Sequence, residues 1–249
     1  MHIPQRFMAA MVAASLFVMG VSAQAATYAP DEDVMTSAFF TGTDLVRGYV
    51  GNGRPTFRVS TDDAFGLGME SIYLDFSSID LSAFSGGPIV ATLTMSSVAG
   101  GFGADATAGN PFTVSAHGVN ANPFTSITDD TNPSGPISWS SFFNNNILPA
   151  DSAALTSIDC VNCNVSFDVS AIVNDWLNPS STNPQFIAMT GKNDLSGTDI
   201  LHGFRNNSNT AANEGFTSLT ITQVPEPGSL GLLGLAAVAS LACCRGRRS

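Results

Sequence analysis

Apolar and polar residues alternate one by one over short stretches of this chain, and clusters of Gly, Asn, Asp and Pro separate those stretches. A period of two puts successive side chains on opposite faces of an extended backbone, so each stretch reads as a strand with one face turned inward. Nine stretches qualify: Asp44–Val50, Thr56–Ser60, Ser71–Phe76, Ile89–Ser97, Phe112–His117, Asn164–Asp168, Gln185–Thr190, Asp199–Phe204 and Phe216–Thr222. In the third, Ile72, Leu74 and Phe76 alternate with Ser71, Tyr73 and Asp75. In the fourth, Val90, Leu93 and Met95 are less regular, but the run is long and rich in β-branched residues. Many short strands at this spacing, broken by turn signals, constrain the chain to a β-sandwich or barrel.

One stretch breaks the rule. Val169, Ile172, Val173, Trp176 and Leu177 fall at i, i+3, i+4, i+7 and i+8, which is one face of a helix. Asp168 or Ser170 can cap its start, and Asn178-Pro179 stops it. This periodicity makes Trp176 a core anchor rather than a platform for stacking a sugar.

Composition narrows the class further. Between Ala26 and Gln223 there are 198 residues, enough for one substantial core. Within them 19 acidic side chains face five basic ones, a net charge of −14 before histidine. Such a surface repels nucleic acid and anionic membranes, because phosphate contacts need basic side chains. Only 12% of the whole chain is charged, and small polar residues are plentiful, as suits an extracellular β-protein with polar loops.

The two ends carry different signals. His2 and Arg6 precede an apolar run from Phe7 to Val21, and Ala23-Gln24-Ala25 supplies the small residues that a signal peptidase reads. Cleavage is expected after Ala25, so residues 1–25 form a signal peptide and the mature chain begins at Ala26. At the other end, Val224-Pro225-Glu226-Pro227-Gly228 leads into an apolar segment, 229–244, and then Arg245, Arg247 and Arg248. As a helix, that segment spans about 24 Å, short of the roughly 30 Å of a bilayer core. The arginines stay on the cytoplasmic side by the positive-inside rule, which leaves 26–223 outside the inner membrane.

A Pro-Glu-Pro turn, a short apolar helix and a terminal arginine cluster, in this order, resemble the PEP-CTERM sorting signal of Gram-negative bacteria. The resemblance implies export, a transient anchor in the inner membrane, and processing by an exosortase near Val224, Pro225, Glu226 and Pro227. Exosortase systems accompany exopolysaccharide and biofilm production, so a polysaccharide-rich matrix is the implied setting. A second resemblance lies in the domain itself. Ser166-Phe167-Asp168-Val169-Ser170, with Val173 and Trp176, looks like the Asp-Val-Thr…Val…Trp element of DNRLRE-type modules, and Ile72–Ile79 and Ser218–Thr222 look like two of their strands. Ser170 departs from the usual Thr, and Pro184 stands where a Gly-rich turn is common. This resemblance implies a jelly-roll-like β-sandwich of the carbohydrate-binding kind.

Candidate chemistry is sparse. Cys160 and Cys163 are the two cysteines between residues 26 and 223. A Cys-x-x-Cys pair can be half of a zinc site, a redox motif or a local disulfide; no second pair and no βαβ pattern accompany it, and an oxidising compartment favours the disulfide. Oxygen-rich turns at Asp129-Asp130-Thr131-Asn132 and between Asp194 and Asp199 suit a hard cation such as calcium, although Asp, Asn and Gly also make turns by themselves. Phe39-Phe40, Tyr49, and Trp139 with Phe142-Phe143 are the aromatic candidates for a sugar platform. His117 and His202 read as surface or loop residues, and no nucleophile elbow, zincin motif or P-loop is present. The expectation is therefore a non-enzymatic surface or matrix protein, structural or glycan-binding, needing no cofactor. The alternatives are a polysaccharide hydrolase or lyase on the same scaffold, and a ligand- or ice-binding module. Thr220 and Thr222 alone are an ordinary strand.

Overall fold

The computed structural model describes residues 24–36, 45–47, 56–60, 71–84, 87–99, 105–126, 154–191, 201–205 and 217–224. They form two antiparallel sheets packed face to face, with one α-helix. The first sheet runs in the order β1 (Ala25–Tyr28), β12 (Ser218–Gln223), β6 (Ile89–Val98), β11 (Leu201–Arg205) and β4 (Thr56–Ser60), with β9 (Asn164–Asp168) also paired to β6. The second runs in the order β3 (Leu45–Arg47), β2 (Glu32–Thr36), β5 (Ser71–Asp75), β10 (Phe186–Gly191), β7 (Phe112–Gly118) and β8 (Ala154–Ile158). From β4 to β7, successive strands alternate between the two sheets, as they do in a jelly roll.

Strand β6 organises the core. Ile89, Ala91, Leu93 and Met95 point inward and are buried, while Val90 is 48% exposed on the opposite face. The irregularity read in this strand comes from grouping Val90 with Leu93 and Met95; the inward series is strictly alternate. Leu219 and Ile221 of β12, Val165 and Phe167 of β9, and Phe204 of β11 extend the same layer. Opposite them lie Ile72 and Leu74 of β5, Phe112 and Val114 of β7, and Ile187 and Met189 of β10.

The second sheet is covered on both faces. Val34, Tyr73, Phe186 and Ala188 project away from the main core and form a second cluster with Val119 and Phe124. Phe124 and Phe186 stand 5.7 Å apart, ring centre to ring centre. Ser71 and Tyr73 are therefore buried rather than solvated, because apolar neighbours on β2 and β10 share their side of the sheet. Burial pushes the Tyr73 phenol well above its ordinary value, since the charged form loses its hydration.

Eight of the nine strands read from the sequence coincide with observed strands to within two residues at each end; of the ninth, Asp44–Val50, the described residues Leu45–Arg47 are strand and the others lie outside the described residues. Three strands escaped that reading. β1 has only four residues, β2 begins with Glu32-Asp33, and β8 is a small-residue strand on the edge of its sheet. Their patterns are too short or too polar to stand out, and pairing with longer neighbours makes them strands.

Helix α1 (Ser170–Leu177) begins where β9 ends. Its N-cap is Val169, with no side-chain capping bond, so neither Asp168 nor Ser170 caps it in the expected way. The Asp168 carboxylate instead accepts the Ser170 backbone N–H at 3.0 Å and bends the chain into the helix. The Ser170 hydroxyl, and after it this backbone bond, hold the Asp168 carboxyl below the usual carboxylate range. Ile172 and Val173 are buried, and Trp176 is half-buried with its ring centre 6.4 Å from that of Phe76.

Candidate functional site

The structure brings three features into the first sheet: the meeting of its terminal strands, a hydroxyl-bearing outer face, and a buried histidine beside the cysteine loop.

The terminal strands meet at one edge. β1 pairs antiparallel with β12, Ala25 opposite Thr222 and Thr27 opposite Thr220, so the start of β1 lies beside the end of β12. The Gln223 N–H donates to the Gln24 carbonyl at 2.8 Å, and the Val224 N–H donates to the Pro88 carbonyl at 2.9 Å. Helix α1 closes the same end: Val169 N–H donates to the Ala91 carbonyl at 2.9 Å, and Ala91 N–H donates to the Ser170 hydroxyl at 3.0 Å. Of the expected processing residues, Ala25 and Ala26 lie in β1 and Val224 follows β12 directly, 37% exposed. Pro225, Glu226, Pro227, the segment 229–244 and Arg245, Arg247 and Arg248 lie outside the described residues. Between Gln223 and Ser229 there are five residues, which reach at most about 18 Å when fully extended.

The outer face of the first sheet is set by register. Thr27, Thr220, Thr92 and Asp168 lie in one row across β1, β12, β6 and β9. Ser218, Thr94 and Ser166 form the next row, Ser96 and Asn164 the one after, and Thr222 and Val90 flank the first. Thr27 and Thr220 share a hydroxyl–hydroxyl hydrogen bond at 2.9 Å, and the Ser96 hydroxyl donates to Asn164 Oδ1 at 3.0 Å. Strands about 4.8 Å apart, with same-face residues about 6.7 Å apart along each, make this a regular plane of short polar groups. Thr220 and Thr222 do not stand alone. The signal lay in the sequence as Thr92-x-Thr94-x-Ser96 and Ser218-x-Thr220-x-Thr222, but only the pairing aligns the two series.

His202 overturns the expectation of a surface or loop position: it is 1% exposed and points into the sandwich from β11. Its ring meets the edges of Phe112 at 5.8 Å and Phe204 at 5.1 Å. The next residue must be glycine, because a Cβ at Gly203 would stand 2.8 Å from the Ala99 carbonyl oxygen. His202 Nε2 lies 2.9 Å from Ser97 Oγ, and the Ser97 hydroxyl donates to the Cys160 carbonyl at 2.8 Å. Ser97 has one proton, and it is given to Cys160, so His202 Nε2–H is the donor to Ser97. A base that activates a serine must receive the serine proton, and this pair runs the other way. His117 sits on β7, half-buried.

The cysteine loop locks onto the same residue. Cys160 and Cys163 are joined, Sγ to Sγ at 2.02 Å, with Cα atoms 6.2 Å apart. Ser97 N–H donates to the Cys163 carbonyl, and Asn162 N–H to the Ser97 carbonyl. Asn162 adopts φ 58°, a left-handed conformation that asparagine tolerates better than most residues.

Burial pushes the His202 imidazolium pKa down to about 4, and the carboxylate of Asp105 opposes this more weakly. Protonation then favours the unfolded chain. Stability is expected to fall as the pH drops through the ordinary histidine value of 6.5 toward about 4, and to lose nothing more from this group below that. The full loss is about 3 kcal/mol. Urea unfolding at pH 7 and pH 4, for the protein and for His202→Asn, checks it. The variant should lack that share of the acid loss, and equal losses would refute it.

The calcium candidates Asp129, Asp130, Asp194 and Asp199 lie outside the described residues, as do Phe39, Phe40, Tyr49, Trp139, Phe142 and Phe143. Among the described residues no three His, Cys, Asp or Glu side chains gather as metal ligands, and no helix is long and apolar enough to cross a membrane.

Residues 223–248 match the PEP-CTERM protein-sorting motif. The motif marks an exported protein that passes through a membrane-anchored stage, with an exosortase as its processing partner. It begins on the last residue of β12, so the sorting signal follows the folded sheet with no linker between them. No curated protein matches the chain.

Proposed function

We propose that this protein is a non-enzymatic component of the cell surface or extracellular matrix, which contacts neutral, hydroxyl-rich polysaccharide through the outer face of its first sheet. The observation that carries this reading is the aligned hydroxyl face: Thr27, Thr92, Thr94, Thr220, Thr222, Ser166 and Ser218 across four paired strands. Hydroxyls both donate and accept, so such a plane suits the hydroxyls of sugars. Asp168 is the one charged side chain among those rows. The net charge of −14 between Ala26 and Gln223 disfavours polyanionic glycans and leaves neutral ones as the natural partner. The reversed Ser97–His202 hydrogen bond supports a role without catalysis.

Co-sedimentation of the processed protein with insoluble neutral and uronic-acid-rich polysaccharides tests the reading. Thr94→Lys combined with Thr222→Lys puts two long side chains on the face without touching the core. Retention on the neutral glycan should drop about tenfold or more, the worth of one or two lost hydrogen bonds. Equal retention of protein and variant would refute the reading. Thermal hysteresis without glycan binding would turn it toward ice, and turnover of the glycan would turn it toward an enzyme.

A further inference from the structure

The hydrogen bond between Gln24 and Gln223 joins a residue on the signal-peptide side of the expected cut to the first residue of the sorting motif. We propose that removal of the signal peptide frees one side of the end of β12 and so eases presentation of the sorting motif to the exosortase, which makes the N-terminal cut a precondition of efficient C-terminal processing. The inference rests on the exosortase reading and on cleavage after Ala25.

The register makes the argument. In the uncut chain, Ala25 stands opposite Thr222, and the Gln24 carbonyl accepts the Gln223 N–H. Hydrolysis of the Ala25–Ala26 amide consumes one water and leaves a carboxylate on Ala25 and an ammonium on Ala26. Gln24 and Ala25 depart with the signal peptide, and the Gln223 N–H loses its acceptor. Ala26, Thr27 and Tyr28 keep their pairing with Ile221, Thr220 and Leu219, so the sheet persists while its last residues loosen on one side. The end of β12 then keeps only its β6 side, with Thr222 opposite Val90, Gln223 opposite Ile89 and the Val224 N–H on the Pro88 carbonyl.

Looseness matters because the spacer is short. A protease reads an extended peptide, and the five residues between β12 and the apolar segment leave at most about 18 Å for it. Each residue freed from the end of β12 lengthens that reach by about 3.4 Å. A precursor that keeps its signal peptide holds Gln223 from both sides, by Gln24 and by β6, and so keeps the motif at its shortest reach.

The test uses the full-length exported chain, tail included, from cells lacking exosortase. One version is matured naturally; the other is made with a foreign signal peptide fused directly before Gln24, and intact mass fixes both N-termini. Hydrogen exchange at the Gln223 amide should be roughly threefold to tenfold faster in the chain that begins at Ala26. The same chain should be cut faster, by a similar factor, when exosortase-containing membranes are supplied. Equal exchange in the two chains overturns the proposal, and so does unequal exchange with equal rates of cutting. Failure of either chain to be cut at all also overturns it, but through the sorting reading, with the exchange difference left standing.

Discussion

Replacing Phe167 with alanine is expected to destabilise the domain by about 3–5 kcal/mol. Phe167 is fully buried on β9, opposite Leu93 of β6, and its ring centre lies 6.3 Å from that of Phe204. It sits where three strands of the first sheet converge on the central core, so truncation leaves a cavity that no single neighbour can fill. For a domain of this size the melting temperature should fall by roughly 10 °C. Val90→Ala is the matched control, because Val90 lies on the same sheet with 48% of its surface exposed, and its change should stay within about 0.5 kcal/mol. Thermal and urea melts of the two variants decide the matter. Similar losses in both would mean that the two sheets do not share the core described above.

The same contrast shows what the sequence carried. Asn164–Asp168 and Phe216–Thr222 were legible because burial of one face imposes a period of two, and Val169–Leu177 because burial of a helix stripe imposes 3.6. β1 was not legible. Ala25-Ala26-Thr27-Tyr28 is too short to show a period, and it becomes a strand only because β12, almost two hundred residues later, offers it an edge. His202 was not legible either: a polar residue between Leu201 and Gly203 gives no sign of burial until Ser97 and the Cys160–Cys163 loop arrive from elsewhere in the chain to partner it. For the hydroxyl face, each strand's Thr and Ser were visible, but the register that aligns them is a property of pairing. The sorting motif was the most legible part, because an enzyme reads it as a linear signal and its meaning does not depend on the fold.

Glu226→Ala is expected to reduce C-terminal processing by about 30-fold or more, if its carboxylate meets a buried partner in the exosortase. Glu226 is the sole charged residue between the end of β12 and the arginines that follow the apolar segment. Pro225 and Pro227 flank it, and neither has an N–H to offer a neighbouring strand. The chain, once uncut, should remain with the inner membrane through the segment 229–244, while its folded domain stays as stable as before. The domain's melting temperature separates this outcome from simple misfolding.

The most direct measurement is the intact mass of the protein recovered from fractionated cells, with and without Glu226→Ala. The account predicts a mass that begins at Ala26 and ends near residue 225 for the native chain, and an uncut C-terminus in the inner-membrane fraction for the variant. A full-length C-terminus in both samples would contradict it and leave the tail as a plain anchor.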